Sequence, residues 1–357
     1  MTETAQILNS PPPDTARKIL IQTQTAITQI KELIVKAVAD NQEQKITVTA
    51  LNKMISDYCK TINDNALREE SRKALVSSAR KWYYEINETM KIANQNIKTA
   101  AGDTYTITAI NKLINDNKGI DSFRNITTAG LNKAAPLIRD YNKTVKLAIK
   151  ALAAEPPKVV TISRGTAAGK TYIMPLRNRA EMAVRYEYNI QDLNNFANNG
   201  VKLVWTSSHP NCSPRCSHYQ GRLWSLDGTT GTKNGIRYRP IQEALAGPLG
   251  DGNGIISGYN CRHTLSAYKD GSAAPQAFTR AEINKEYAID KKQRAYENSI
   301  RQMKTEERLL RGMGYEKDAS FLRKKWRAAQ ASYQAYSLQN GRAYYPYRYI
   351  IDEAETE

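Results

Sequence analysis

His209-Pro-Asn-Cys212-Ser-Pro-Arg-Cys216-Ser-His218-Tyr-Gln220-Gly221, answered further on by Asn260-Cys261-Arg262-His263, holds all three histidines and three of the four cysteines of a 357-residue chain. Chance placement would scatter residues this rare. The spacings are C-x3-C and C-x-H, two close pairs of thiols and imidazole on two turns. That arrangement suits the tetrahedral preference of zinc. Cys212, Cys216, Cys261 and His263 are the expected ligands of a structural Zn2+, with His209 or His218 as alternates. Asn260 and Arg262 flank a ligand and are expected to hold the knuckle by hydrogen bonds. Gln220-Gly221 is expected to turn the chain into the next strand. Buried free thiols, or one disulfide with a thiol left over, would explain the cysteines without metal. Neither gives a reason for imidazoles to gather beside them.

Outward from this cluster, Val201-Lys-Leu-Val-Trp205 reads as a strand leading straight into it. The stretches after each knuckle, Gln220-Gly221-Arg-Leu-Trp224 and Thr264-Leu-Ser-Ala-Tyr268, also look like strands, where a DNA-reading module would place a helix. Between the two halves lies a glycine-rich insertion from Asp227 to Gly258, expected to be irregular loop. A loop that long within a compact domain is functional or pinned. A metal joining its ends would offset the entropy of closing it, and a small irregular module cannot bury enough apolar surface unaided.

The run Trp205-Thr-Ser-Ser-His209-Pro-Asn-Cys-Ser-Pro-Arg-Cys-Ser-His218-Tyr-Gln-Gly221-Arg-Leu-Trp-Ser, with Gly258-Tyr-Asn-Cys-Arg-His263, resembles the tailed-phage minor capsid proteins of the minor capsid protein 2 group. It is more distantly similar to Mu F-type head-morphogenesis proteins. The resemblance runs from about Thr161 to Tyr349 and includes Asp290-Lys-Lys-Gln-Arg-Ala-Tyr-Glu-Asn298. It implies a virion protein of the phage head, made in the host cytoplasm and present in low copy near the portal vertex. Contact with portal protein, major capsid protein or packaged double-stranded DNA is implied as well. Many members lack a pair equivalent to Cys212 and Cys216, so the resemblance does not bring a metal with it.

Before the cluster, residues 1–155 read as a helical bundle region. Ile19, Ile27, Ile30, Ile34 and Val38 recur at helical spacing, and further helices are expected at Thr49–Asn63, Asn65–Ala100, Thr106–Asn117 and Thr127–Ala153. Trp82, Tyr83 and Tyr84 are expected to anchor core and boundary, and Cys59 to be a small buried hydrophobe. Pro156-Pro157 marks the boundary to a central α+β domain, 156–278. There Gly165-Thr-Ala-Ala-Gly169-Lys170-Thr171 has one residue too few between its glycines for a phosphate loop, and Tyr172-Ile-Met-Pro175 looks extended, so a hairpin is expected. A helix over Asn178–Phe196 follows.

Residues 279–357 are expected to form a basic helical C-terminal region. Thr279-Arg-Ala-Glu282 is a capping box. Ile289, Tyr296, Met303 and Leu310 recur every seven residues, a stripe for packing on another helix, and Gly312-Met-Gly314 should break that helix. From Arg280 to Arg348 there are 16 basic and 8 acidic residues, nearly half the net charge of +17. Arg323, Lys324, Lys325, Arg327, Arg342 and Arg348 stand among aromatics and are the nucleic-acid contact candidates.

The fold class expected is therefore α+β: a helical N-terminal region, a β-containing metal-stapled centre and a basic helical end. No signal peptide or membrane-spanning run is expected, nor a small-molecule substrate. The function expected is structural, with no required catalysis. A zinc-dependent enzyme acting on nucleic acid is one alternative, but H-x-E…P-C-x-x-C and H-E-x-x-H are both absent. A zinc-stapled nucleic-acid-binding module is the other.

Overall fold

A computed structural model describes residues 14–39, 44–101, 128–162, 171–246, 254–256 and 261–356. It is 67% helical with a small mixed sheet, which makes it α+β with a helical majority. Helices α1 (Asp14–Ala39), α2 (Gln44–Lys60), α3 (Asn65–Ala101) and α4 (Thr128–Ala154) come first. Strands β1 (Lys158–Ile162) and β2 (Thr171–Pro175) and helix α5 (Leu176–Asn198) follow. Then come β3 (Leu203–Thr206), β4 (Leu223–Ser225), β5 (Gly231–Lys233), β6 (Ile236–Pro240), the short helix α6 (Ile241–Ala246) and β7 (Leu265–Ala267). Helices α7 (Arg280–Gly312) and α8 (Glu316–Gln339) close the chain with two 3-10 turns, Pro346–Tyr349 and Glu353–Thr356. The expected helix at Thr106–Asn117, its stop at Gly119 and the Gly165–Lys170 loop lie outside the described residues.

The residues cluster into two compact units, neither continuous in sequence. One comprises 1–23, 158–297 and 332–348; the other comprises 24–157, 298–331 and 349–357. One division follows Pro157, and the others fall inside α1, α7 and α8, so that residues from 279 on are shared between both units.

In the second unit, α3 packs against both α2 and α4. The stripe read from α1 is buried throughout, with Ile27, Ile30, Ile34 and Val38 in this unit. Trp82 is 1% exposed and serves as the core anchor, whereas Tyr84 is 57% exposed. Cys59 is buried, its thiol 3.8 Å from the Arg68 carbonyl, as suits a small hydrophobe with a weak S–H donor. Asp64 caps α3 through Leu67 N–H.

In the first unit, β1 and β2 pair antiparallel, the hairpin expected around the glycine loop. The remaining five strands form one mixed sheet in the order β5-β6-β4-β3-β7. Here the structure corrects the reading of Asp227–Gly258 as irregular loop. Asn234 and Gly235 both adopt positive φ (48° and 78°), the two-residue turn that matches strand twist, and they join β5 to β6. Tyr238 lies over Gly231, where an added Cβ would meet its hydroxyl at 2.5 Å. Strand β6 then pairs parallel with β4, and α6 follows at once, burying Ile241 and Ala244. The insertion thus carries its own secondary structure and adds two strands to the sheet.

Candidate metal centre

Register builds the site. Strands β3 and β7 run antiparallel with Thr206 opposite Leu265. The ladder continues one residue further, Ser207 N–H donating to Thr264 O (2.9 Å) and Thr264 N–H to Ser207 Oγ (2.9 Å). Past the ladder the rings of His209 and His263 come together, their centres 4.8 Å apart. Tight turns follow: Cys212 N–H donates to His209 O, Cys216 N–H to Ser213 O, and Gln220 N–H to Cys216 O. Thr206 ties this coil to the sheet, its hydroxyl donating to Tyr219 O (2.9 Å) and accepting from Arg222 N–H and Trp224 Nε1–H.

Cys216, Cys261 and His263 come together, all buried, with Cys216 Sγ, Cys261 Sγ and a ring nitrogen of His263 within 4.8 Å of one another. Cys212 is buried in the same apolar cluster, beside Trp224, Ile255 and Leu265, but stands outside that group of three. His209 is half-buried, its Nε2 2.8 Å from Ser207 Oγ. His218 is exposed on the turn and apart from the cluster. Asn260 lies outside the described residues. The Arg262 guanidinium is 4.0 Å from Asp290 on α7.

Gln220, read from sequence only as part of a turn, is the residue that orders the site. Gly221 at φ 63° reverses the chain behind it. Gln220 Oε1 accepts from His209 N–H (2.9 Å), and a backbone N–H can only donate, so this amide orientation is determined. The same oxygen is 3.2 Å from His263 Nε2, which must therefore carry the proton. His263 Nδ1 is left facing Cys261 Sγ at 3.4 Å. Cys261 Sγ also accepts from Ile256 N–H at 2.9 Å. Ile256 adopts φ 74°, a strained conformation for a β-branched residue, at the place where its amide meets the sulfur.

A hydrogen bond from Cys216 holds the Cys261 thiol well below its usual range, while the same bond pushes Cys216 up. Burial, with the Cys261 charge, pushes Cys212 up to about 11. Burial, with His263 and Arg262 nearby, pushes His209 down to about 3, so it is a neutral ring. Behind the knuckle, burial raises Glu181, but Arg262, Arg185, Arg348 and Arg177 outweigh it and bring Glu181 to about 2.

The nucleic-acid contact candidates divide. Lys324, Lys325 and Arg327 are exposed on α8, with Lys325 over the Phe321 ring (4.5 Å). Arg323 is exposed but paired with Glu307 (2.8 Å). Arg342 and Arg348 have side chains only 9% exposed and are spent on Glu286 and Glu297. Those two are withdrawn from the contact surface: a buried cation is held by its internal carboxylate, since leaving either alone is costly.

These features define a mostly helical α+β protein whose small mixed sheet carries a buried Cys/His cluster. The family model for phage minor capsid protein 2 matches residues 11–337, and the chain belongs to that family, whose role in the phage particle is structural. The match extends well before Thr161, over helices that the sequence resemblance did not reach. No curated protein and no solved structure matches the chain. Among the described residues no helix is long and apolar enough to cross a membrane.

Proposed function

We propose that this chain is a minor structural component of a tailed-phage head, seated by contacts with portal or major capsid protein near the portal vertex and facing packaged DNA through α8. The family match over residues 11–337 carries the reading. The exposed Lys324, Lys325 and Arg327 support the DNA contact, because cations on an open helix face neutralise phosphate without base specificity. The role requires no catalysis.

The test is proteomic. Purified, nuclease-treated heads should contain the chain at a few per cent or less of the major capsid protein, with cross-links to portal or capsid subunits. Its absence from DNA-filled particles would refute the reading.

A further inference from the structure

We propose that Cys216, Cys261 and His263, completed by Cys212, form a tetrahedral structural zinc site in which His263 binds through Nδ1 and Gln220 sets that choice. The inference goes beyond the virion role and does not rest on it. Three ligand atoms of the right kinds already lie within 4.8 Å of one another in a buried position. An apolar core has no use for two thiols and an imidazole in contact, and among the described residues all four cysteines are free rather than bridged.

The outer partners are those that a zinc ligand needs. Gln220 Oε1 accepts a hydrogen bond from Nε2–H and so leaves the Nδ1 lone pair toward the sulfur side of the ring. The Ile256 amide donates to Cys261 Sγ, a bond that stabilises a thiolate more than a thiol. Holding that amide in place imposes a positive φ on a β-branched residue, a cost hard to explain for an inert buried thiol. Cys212, on the preceding turn and buried in the same cluster, supplies the fourth ligand, though it stands outside the group within 4.8 Å. Among the described residues the site is buried, with Trp224, Ile255 and Leu265 in the same apolar cluster. A closed site with four protein ligands is structural rather than catalytic.

The test uses the full-length protein, purified without chelator. Metal analysis should find about one zinc per chain, kept in Cys59→Ser and lost in Cys261→Ser. Replacing zinc with Co2+ should give the visible bands of tetrahedral cobalt with strong sulfur-to-metal charge transfer. That charge transfer should weaken in Cys212→Ser; unchanged intensity there would remove Cys212 from the set. Because Cys261→Ser could fail to fold, Gln220→Ala provides an independent reading. Its zinc affinity in chelator competition should fall roughly 10–100-fold while the circular dichroism is kept. A folded Gln220→Ala protein with undiminished affinity would overturn the Nδ1 assignment. Wild-type protein that carries no zinc and gives no tetrahedral cobalt spectrum would overturn the site.

Discussion

Lys31 on α1 is 2% exposed, yet it carries an amine. Its Nζ donates to the carbonyls of Glu155 (2.7 Å) and Ala153 (3.3 Å) and lies 4.8 Å from the centre of the Trp82 ring. Those carbonyls belong to the end of α4, where helical partners run out, so the lysine closes a helix terminus from a neighbouring helix. Burial lowers its pKa to about 7, against the opposing pull of Glu155. Between about 7 and the unfolded value of 10.5 the unfolded chain binds the extra proton, so stability from this residue rises with pH through that window. It is lost as pH falls through about 7. Urea midpoints of wild type and Lys31→Met, compared at about pH 6.5 and about pH 9, should show the wild type gaining on the variant, with a slope approaching ~1.4 kcal/mol per pH unit. Parallel behaviour would mean the folded state keeps the proton throughout. Arg348 illustrates the same scale in the other unit. Its partner Glu297 also accepts from Tyr333 OH (2.6 Å), and both charged side chains are under 10% exposed. Arg348→Met strands that carboxylate and should cost about 3–5 kcal/mol in chemical denaturation. A cost below about 1 kcal/mol would show that the tyrosine alone satisfies Glu297. Neither arrangement was legible in sequence. A cation between tyrosines reads the same whether it meets solvent or a carboxylate 51 positions away.

Helix α7 shows where element-level reading succeeds and where it slips. Its start is as expected: Glu282 accepts from Thr279 N–H (2.7 Å), and Glu282 N–H donates to Thr279 Oγ1 (3.2 Å). Thr279→Ala should therefore lower stability by about 1 kcal/mol, read as a shift in urea midpoint with unchanged slope. No shift would mean this exposed turn is frayed in solution. Of the apolar heptad, Leu310 and the intervening Ile300 are buried, whereas Ile289, Tyr296 and Met303 are half-buried. Tyr296 does stack on Tyr333 at 6.0 Å, but the inward face in that unit is Ile283, Asp290, Gln293 and Glu297. Gln293 donates to Ser337 Oγ and Ala343 O. In the other unit, Glu307 takes Arg323, Arg311 and Trp326 Nε1–H. A polar stripe satisfied by distant partners has no hydrophobic period, so it left no signal beside the apolar one. The β5–β6 hairpin is the opposite case. Asn234-Gly235 is a strong local turn signal, passed over because the surrounding glycines suggested loop.

For the whole molecule, the decisive quantity is the charge excess of +17 and where it stays available. Internal carboxylates absorb Arg342, Arg348 and Arg308, leaving the α8 cations outward. Charge reversal of Lys324 and Lys325 together should weaken binding to duplex DNA of any sequence. If both cations contact phosphate, it should also flatten the log–log salt dependence by roughly 1.8, at about 0.9 per lost phosphate contact. An unchanged slope, measured by fluorescence anisotropy across a salt series, would exclude this face as the DNA surface.

By itself the sequence determined the helical N-terminal stretch, its end before Pro156-Pro157, the strands flanking the cluster, the capping box and the family. These depend on spacing and turn chemistry within a few residues, which the chain expresses locally. Only tertiary structure decided which cysteines and histidines meet, that Gln220 orders them, and which arginines are hidden. Those outcomes rest on the β3–β7 register and on partners tens of residues apart, and such long-range pairings are selected by loop closure and burial rather than by any local pattern.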